Sequence, residues 1–422
     1  MKPTGRLPDA GWLGAPEVRA VMAALSDGGA VARFVGGCVR DTLAGRAVGD
    51  KDIATSAPPE VVLRLLEAAG LKAIPTGIDH GTVTAVANHV PFEITTLRHD
   101  VETDGRRARV AFTDDWLADA ARRDFTMNAL YADLDGTYYD PFDGLPDIKA
   151  GRVRFVGDAE TRIREDVLRI LRFFRFHAHF GQGAPEAEGY AACRKLANLL
   201  PTLSGERVAA ELLKLLNAPE PAATVALMAE AGVLSASLPE TGAPGRLRAL
   251  VTIEGITVGA DPIRRLAALV DGGASAANAV CGRLRLSNAQ RERITRLVAP
   301  PVRPDPKWSA RTARGWLYRM GAETFRDLVL LAWADTVATT GASPRREAEA
   351  WRALLDLAGT WRAPRFPIGG EDVIALGVGS GPEVGRLLAE AEAWWIEGDF
   401  QAGRAPLLEQ LAQFVKKGKG PS

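Results

Sequence analysis

Cysteine is scarce in this chain: Cys38, Cys193 and Cys281 are an odd number, set far apart. They offer neither a disulfide framework nor a metal-ligand spacing, which excludes a stapled secreted scaffold and a zinc module and fits a reducing compartment. Histidine is scarce too. His80, His89, His99, His177 and His179 form no His-Asp constellation of the phosphohydrolase type, so no appended hydrolase domain is expected. No run of 18 apolar residues occurs, which argues against a membrane-spanning helix, and a signal-peptide pattern is missing. Net charge is absent as well, with 52 Lys and Arg against 52 Asp and Glu. These deficits together predict a cytoplasmic protein with no membrane partner.

What the chain does have is unevenly placed. Residues 93–143 carry twelve acidic and six basic side chains, whereas residues 281–319 carry ten basic and two acidic. An acidic first half and a basic stretch in the second suit a protein that grips nucleic acid remotely and works on its end. The plainer reading of the basic stretch is a set of solvated helix faces. At 47% apolar and 25% charged over 422 residues, the composition is that of an ordinary globular protein of two to four domains.

The densest chemistry lies near the start. Ala30 to Val35 reads as a short buried strand, broken by Gly36 and Gly37, with Cys38 to Ala44 able to run on as a helix. A strand, a glycine turn and a helix N-terminus leave backbone N–H groups exposed to a phosphate, and glycine lets the backbone approach closely. Arg40 in the first turn offers a charged fork. On the glycines alone, a plain strand-to-helix turn is the better reading.

Ten residues on stands Asp50-Lys51-Asp52. In an extended strand, residues two apart share a face, so the two carboxylates would project side by side. Such a pair repels unless a cation sits between, and Mg²⁺ favours a few carboxylates plus substrate phosphates. The alternative is an acidic turn. Val90 to Leu97 reads as a strand carrying Glu93, which faces either solvent or the same site. In a neighbouring strand, Glu93 would complete a two-metal cluster of the kind that stabilises an in-line displacement.

At this point the chain resembles a known family. Gly36-Gly37-x-Val39-Arg40-Asp41, followed by Gly49-Asp50-x-Asp52-Ile53-Ala54-Thr55, is similar to the first motif of class II tRNA nucleotidyltransferases, the CCA-adding enzymes and bacterial poly(A) polymerases of the DNA polymerase β superfamily. Further motifs follow in order. Arg122-Arg123-Asp124-Phe125-Thr126-Met127-Asn128-Ala129 resembles the ribose-binding motif. Asp140-Pro141-Phe142-Asp143-Gly144 resembles the segment coupling head and neck, although the family often has glycine where Asp143 stands. Glu165-Asp166-x-x-Arg169-x-x-Arg172-x-x-Arg175 resembles the nucleobase-reading motif, and Ser204-Gly205-Glu206-Arg207 with Glu211 and Lys214 its supporting helix.

The resemblance implies roles. Asp50 and Asp52 would hold Mg²⁺, with Glu93 helping to activate the nucleophile. Gly37 and Arg40 would hold the triphosphate, and Arg123 (rather than Arg122), Arg172 and Arg175 would contact nucleotide. Asp166 and Arg169 would choose the base. They lie three apart in what reads as one helix from Arg162 to Phe180. A carboxylate accepts from an exocyclic amine and a guanidinium donates to a ring nitrogen, which suits cytosine and adenine. Guanine and uracil present the reverse pattern and would leave buried groups unpaired. Without the resemblance, the three arginines read equally well as snorkelling cover for a buried helix.

The resemblance also implies the fold class: an α/β nucleotidyltransferase head with a polymerase β-like palm, followed by an all-α neck, body and tail. The expected boundaries are 1–150 for the head, 151–220 for the neck, and 221–340 and 341–422 for tRNA-binding body and tail. Arg98 to Asp124, polar and poorly patterned, reads as a long mobile loop. In the family such a loop is associated with switching from C to A addition. Seven of nine tryptophans lie beyond residue 300 and are expected to pack helices. Gly377 to Gly385, ahead of a helix, could offer amides to an RNA phosphate or be a packed turn, and Lys416 to Gly420 reads as a disordered basic tail.

The expected activity is template-independent addition of C, C and A to the tRNA 3′ end from CTP and ATP. Poly(A) synthesis and C-only addition are the near rivals. Poly(A) polymerases usually carry a basic Gly-Arg-Arg-Phe-like segment where this chain has Thr76-Gly77-Ile78-Asp79-His80-Gly81-Thr82-Val83. A non-catalytic RNA-binding protein on the same scaffold is the rival from another class.

Overall fold

The computed structural model describes residues 1–8, 10–104, 107–342 and 344–418. The chain divides into two compact units, residues 1–241 with 283–285, and residues 242–282 with those from 286 onward.

The first unit opens as an α/β head. Helices α1 (Pro16–Asp27) and α3 (Pro59–Ala68) both begin at proline, whose fixed φ suits the first helical position. Val18, Val21, Met22 and Leu25 of α1, with Val62 and Leu66 of α3, recur at helical spacing and make one apolar face each. These faces cover one side of an eight-stranded sheet. Its order is β1 (Gly5–Arg6), β10 (Thr137–Tyr139), β9 (Tyr131–Ala132), β2 (Ala32–Val35), β3 (Ile53–Thr55), β6 (Val90–Thr96), β5 (Thr82–Ala87), β4 (Lys72–Gly77). Only β3 and β6 pair in parallel; the other neighbours are antiparallel. Strand alternation sends Phe34, Ile53, Phe92 and Ile94 into the core under α1 and α3. Val35, Ala54 and Tyr131 go to the opposite face, beneath Ala120 of α4 (Trp116–Ala121).

Helix α2 (Gly37–Leu43) follows β2 through Gly36, so the expected strand begins two residues late and the expected helix starts at the second glycine. The described residues from Arg98 to Asp124 include two strands and a helix where the sequence reads as a loop. Strands β7 (Arg98–Asp104) and β8 (Arg107–Phe112) pair from Arg98↔Phe112 onward, and α4 follows, capped by the Asp115 carboxylate on Leu117 N. Gly105 and Arg106, part of the expected loop, lie outside the described residues. Sequence periodicity missed the hairpin because its polar residues make no alternating apolar face.

Helices α5 (Gly144–Lys149), α6 (Ala159–Glu165), α7 (Arg169–Phe180), α8 (Ala187–Leu196) and α9 (Gly205–Leu216) complete the part of this unit that bears on the site. The single helix expected over 162–180 is two. Asp166 ends α6 in an extended conformation (φ −147°, ψ 103°). Phe125 packs on Phe155 and Phe176, with ring centroids 4.9 and 5.3 Å apart, so apolar contacts tie α7 to the segment preceding β9.

The second unit is helical and holds two apolar cores, one including Trp333 and Trp351, the other Trp395. These tryptophans pack helices, as expected. The basic stretch is largely neutralised: Arg283, Arg285, Arg293, Arg296, Arg303 and Arg314 each meet a carboxylate. Most of its charge thus serves ion pairs within the fold. Lys416 and Lys417, expected to be disordered, lie in the last turn of helix Arg404–Gly418; Lys419 and Gly420 lie outside the described residues. Among the described residues, no helix is long and apolar enough to cross a membrane.

Candidate active site

The glycine turn is built as the sequence suggests. Gly36 has φ 71°, a left-handed conformation that glycine adopts without steric cost, and it caps α2. A Cβ on Gly36 would stand 3.8 Å from Nη1 of Arg123, and one on Gly37 would stand 3.7 Å from Nη2 of Arg40. Two guanidiniums therefore border the turn. Arg40 is tightly held: Nε and Nη2 donate to Asp41 (2.9 and 3.1 Å) and Nη1 donates to Oδ1 of Asn128 (2.7 Å). Two of its five N–H donors remain for a phosphate.

Asp50 and Asp52 precede β3 instead of lying within it, yet the ladder continues through the backbone, with Val35 N donating to Asp52 O (2.9 Å). Parallel pairing of Ile53 with Ile94 puts Asp52 alongside Glu93. Burial raises Asp52, the Glu93 charge raises it further, Arg123 opposes, and Asp50 adds to the rise, so the carboxyl is pushed up to about 6. Among the described residues, Asp50, Asp52 and Glu93 have no side-chain hydrogen bond or ion pair. Nor does any group of three or more His, Cys, Asp or Glu converge closely enough to hold a metal by itself. Among the described residues the three carboxylates therefore share a corner, with Glu93 on the strand beside Asp52, without closing into a three-ligand cage. What remains is a crowded anionic corner without a fixed counterion. Two unpaired carboxylates completed by substrate phosphates fit the coordination habit of Mg²⁺.

Arg123 reaches this corner from a rigid mount. Its Nη2 donates to Asp119 (3.0 Å) and its Nε to the Tyr131 hydroxyl (3.1 Å), and that hydroxyl donates to Asp119 (2.7 Å). Burial pushes Asp119 up, but Arg123, Arg122 and the Tyr131 hydroxyl outweigh it and hold the carboxyl down at about 2. Arg122 is turned away, bonded to Asp119 and to the Arg98 carbonyl.

The residues expected to read the base are arranged differently from the sequence expectation. Asp166 and Arg169 do not sit side by side on one helix. Both Asp166 oxygens accept from Nη2 of Arg207 (2.9 and 3.0 Å). Arg169 donates to Glu165 (2.8 Å) and to the Arg122 carbonyl (3.0 Å). Arg172 donates to buried Asp124 (2.7 Å), and Arg175 lies 2.6 Å from Glu211. Asp124 also accepts from Asn128, the residue that holds Arg40, so Arg40, Asn128, Asp124 and Arg172 form one continuous polar chain. The arginines at 172 and 175 are therefore neither free forks nor loose cover.

Sequence reasoning did not single out Asn128, Asp119 or Tyr131. Asn128 lies within the quoted ribose motif, which was the available signal; Asp119 and Tyr131 had none, since only folding joins α4 to β9. Asp143 has φ 56°, the left-handed region, which glycine adopts without steric cost. Gly144 beside it is obligatory: a Cβ would lie 2.4 Å from the Thr126 carbonyl oxygen.

A polymerase β-like sheet with unpaired carboxylates beside a guanidinium-flanked glycine turn defines a nucleotidyltransferase head. Residues 32–154 match the model of the poly A polymerase head domain, and residues 184–243 that of a probable RNA and SrmB-binding site of polymerase A. The chain is 36% identical over 386 residues to zebrafish (Danio rerio) CCA tRNA nucleotidyltransferase 1, mitochondrial, covering 90% of this chain and 87% of that protein. It is 43% identical over 226 residues to the CCA-adding enzyme of Geobacillus stearothermophilus, 53% of this chain and 54% of that one. The crystal structure of the Bacillus stearothermophilus CCA-adding enzyme in complex with CTP superposes with a TM-score of 0.72 at 29% identity, over 96% of this chain and 98% of that one. The chain belongs to the CCA tRNA nucleotidyltransferase family.

Proposed function

We propose that this protein adds C, C and A to the tRNA 3′ end, taking CTP and ATP as substrates. The terminal ribose oxygen bonds to the α-phosphorus, the bond from that phosphorus to the bridging oxygen breaks, and pyrophosphate leaves. The observation that carries this reading is the corner in which Glu93 and Asp50 repel Asp52, none of the three forms a side-chain hydrogen bond or ion pair among the described residues, and the Arg123 charge acts on Asp52.

Asp50 and Asp52 would hold Mg²⁺, which when bound stabilises the attacking and leaving oxygens. Glu93, exposed across the strand pair from Asp52, accepts the proton of the attacking hydroxyl. Arg123, fixed by Asp119 and Tyr131, and the Gly36–Gly37 turn with the two spare donors of Arg40 receive the triphosphate. Asp166 and Arg169 accept cytosine and adenine, and Arg172 and Arg175 shape that pocket through Asp124 and Glu211. Residues 1–150, 151–220, 221–340 and 341–422 serve as head, neck, body and tail, the last two carrying the tRNA. The three free thiols suit a reducing compartment such as the cytoplasm, although the vertebrate relatives are named mitochondrial.

The test supplies tRNA lacking CCA with Mg²⁺ and both nucleotides, and sequences the product ends. Three added residues ending in A support the reading; long A tails from ATP alone favour poly(A) synthesis, and arrest after two C residues favours partial addition. Wild-type activity retained in Asp52→Ala would overturn the carboxylate mechanism.

A further inference from the structure

The sheet face that carries Asp52 and Glu93 is covered on one side only. Over β9, β2 and β3 it is roofed by α4, whose Ala120 packs on Ala54 and Tyr131. Beyond Glu93, over β6, β5 and β4, none of the described helices packs on that face, which carries a group of threonines together with Pro91, Val86, Ile74 and Lys72. Strand alternation puts Thr95 on the same face as Glu93, and the antiparallel register places Thr84 opposite Glu93 and Thr82 opposite Thr95. The hydroxyls are linked in two pairs, Thr82 with Thr95 (3.2 Å) and Thr84 with Thr76 of the edge strand (2.8 Å). Thr82, Thr84 and Thr95 are part-exposed and Thr76 is exposed.

A hydroxyl both donates and accepts, and in each pair either oxygen could be the donor. Each pair therefore has unused capacity pointing to solvent. These neutral hydroxyls begin one strand away from an anionic corner. At Thr84, directly opposite Glu93, a lysine or arginine would form an ion pair with Glu93 and a carboxylate would repel an incoming phosphate. Hydroxyls avoid both, donating to phosphate oxygens and accepting from a ribose 2′-OH while reading no base.

We propose that Thr84 and Thr76 grip the sugar–phosphate backbone of the RNA acceptor just behind its reactive end, making them positioning residues for the attacking ribose. The proposal rests on the reading that an RNA 3′ hydroxyl is the nucleophile. It supplies what successive addition demands: the last nucleotide of the acceptor changes with each step, so its grip must be blind to sequence. Threonine hydroxyls on the open half of the catalytic sheet meet that demand, whereas the base-selecting Asp166, at the break after α6, and Arg169 of α7 cannot.

Steady-state kinetics on the full chain test it, with tRNA lacking CCA and tRNA ending in one or two C residues as acceptors. Thr84→Val keeps the β-branched shape and removes the hydroxyl, and Thr76→Val does the same on the solvent-exposed edge. Each is expected to raise KM for every acceptor by about fivefold, the loss of roughly one neutral hydrogen bond. KM for CTP and ATP should stay within twofold, and Thr84→Ser should restore the acceptor KM. An unchanged acceptor KM in both valine variants, an equal rise in nucleotide KM, or a serine variant as impaired as valine would each overturn the proposal. If the wild-type chain extends no acceptor, the underlying reading fails instead.

Discussion

Asp166 is held by Arg207, both of its carboxylate oxygens lying within 3.0 Å of one guanidinium nitrogen. This contact spans 41 residues and joins the break between α6 and α7 to the first turn of α9. Under the proposed reading, Asp166 selects a base by accepting from an exocyclic amine, a role that needs a carboxylate fixed in direction, and Arg207 supplies that fixing.

Arg207→Met keeps the apolar stem and removes the fork. The expected result is a loss of base discrimination of about tenfold, with UTP and GTP incorporated more readily relative to CTP and ATP. Single-nucleotide incorporation ratios measure it. Unchanged ratios would show that Asp166 is oriented by other means.

Asp124 is buried and receives Arg172, Asn128 and its neighbour's backbone N–H. Burial raises its carboxyl, but Arg172 and Asn128 outweigh that and lower it below the usual range. Removing one member of such a pair strands the other, so Asp124→Ala should cost about 3 kcal/mol of stability in urea titrations. A double change with Arg172→Met should cost less than the sum of the singles.

Asp52 has the opposite sign. Its folded pKa of about 6 lies above the ordinary 3.8, so the group contributes stability that is complete at low pH and lost as pH rises through 6. In metal-free protein, Asp52→Asn should flatten that segment of the Tm-against-pH curve and raise Tm at pH 7.5. The same variant should lose nucleotide transfer by at least about a hundredfold if the carboxylate is essential.

Gly205 starts α9, and a Cβ there would lie 1.9 Å from the Arg283 carbonyl oxygen. Backbone on both sides leaves no flexible side chain to yield. Gly205→Ala should destabilise the first unit by about 3 kcal/mol, read by thermal unfolding. Because α9 carries Arg207 and Glu211, base discrimination should relax with it.

Much of the site was legible because its chemistry is local. A glycine turn, a carboxylate pair and an arginine series are each set by residues close in the chain, and their order along the sequence pointed to one family. The strand carrying Glu93 was legible from its β-branched and aromatic pattern. Local pattern failed at Arg98 to Phe112, where a polar hairpin lacks the apolar alternation that marks a strand. It failed again at Asp166, where apolar spacing continues across a helix break.

The sequence by itself determined which groups are present and in what order: Gly36 and Gly37, Asp50 and Asp52, and the arginines from 169 to 175. Tertiary structure alone decided their partners. Parallel pairing of β3 with β6 brought Glu93 beside Asp52, packing joined Asp119 to Tyr131 under Arg123, and α9 delivered Arg207 to Asp166. The physical reason is that charge pairing and strand adjacency act through space. Residues 40 positions apart come together only when burial of the apolar faces has fixed the sheet and helices that carry them.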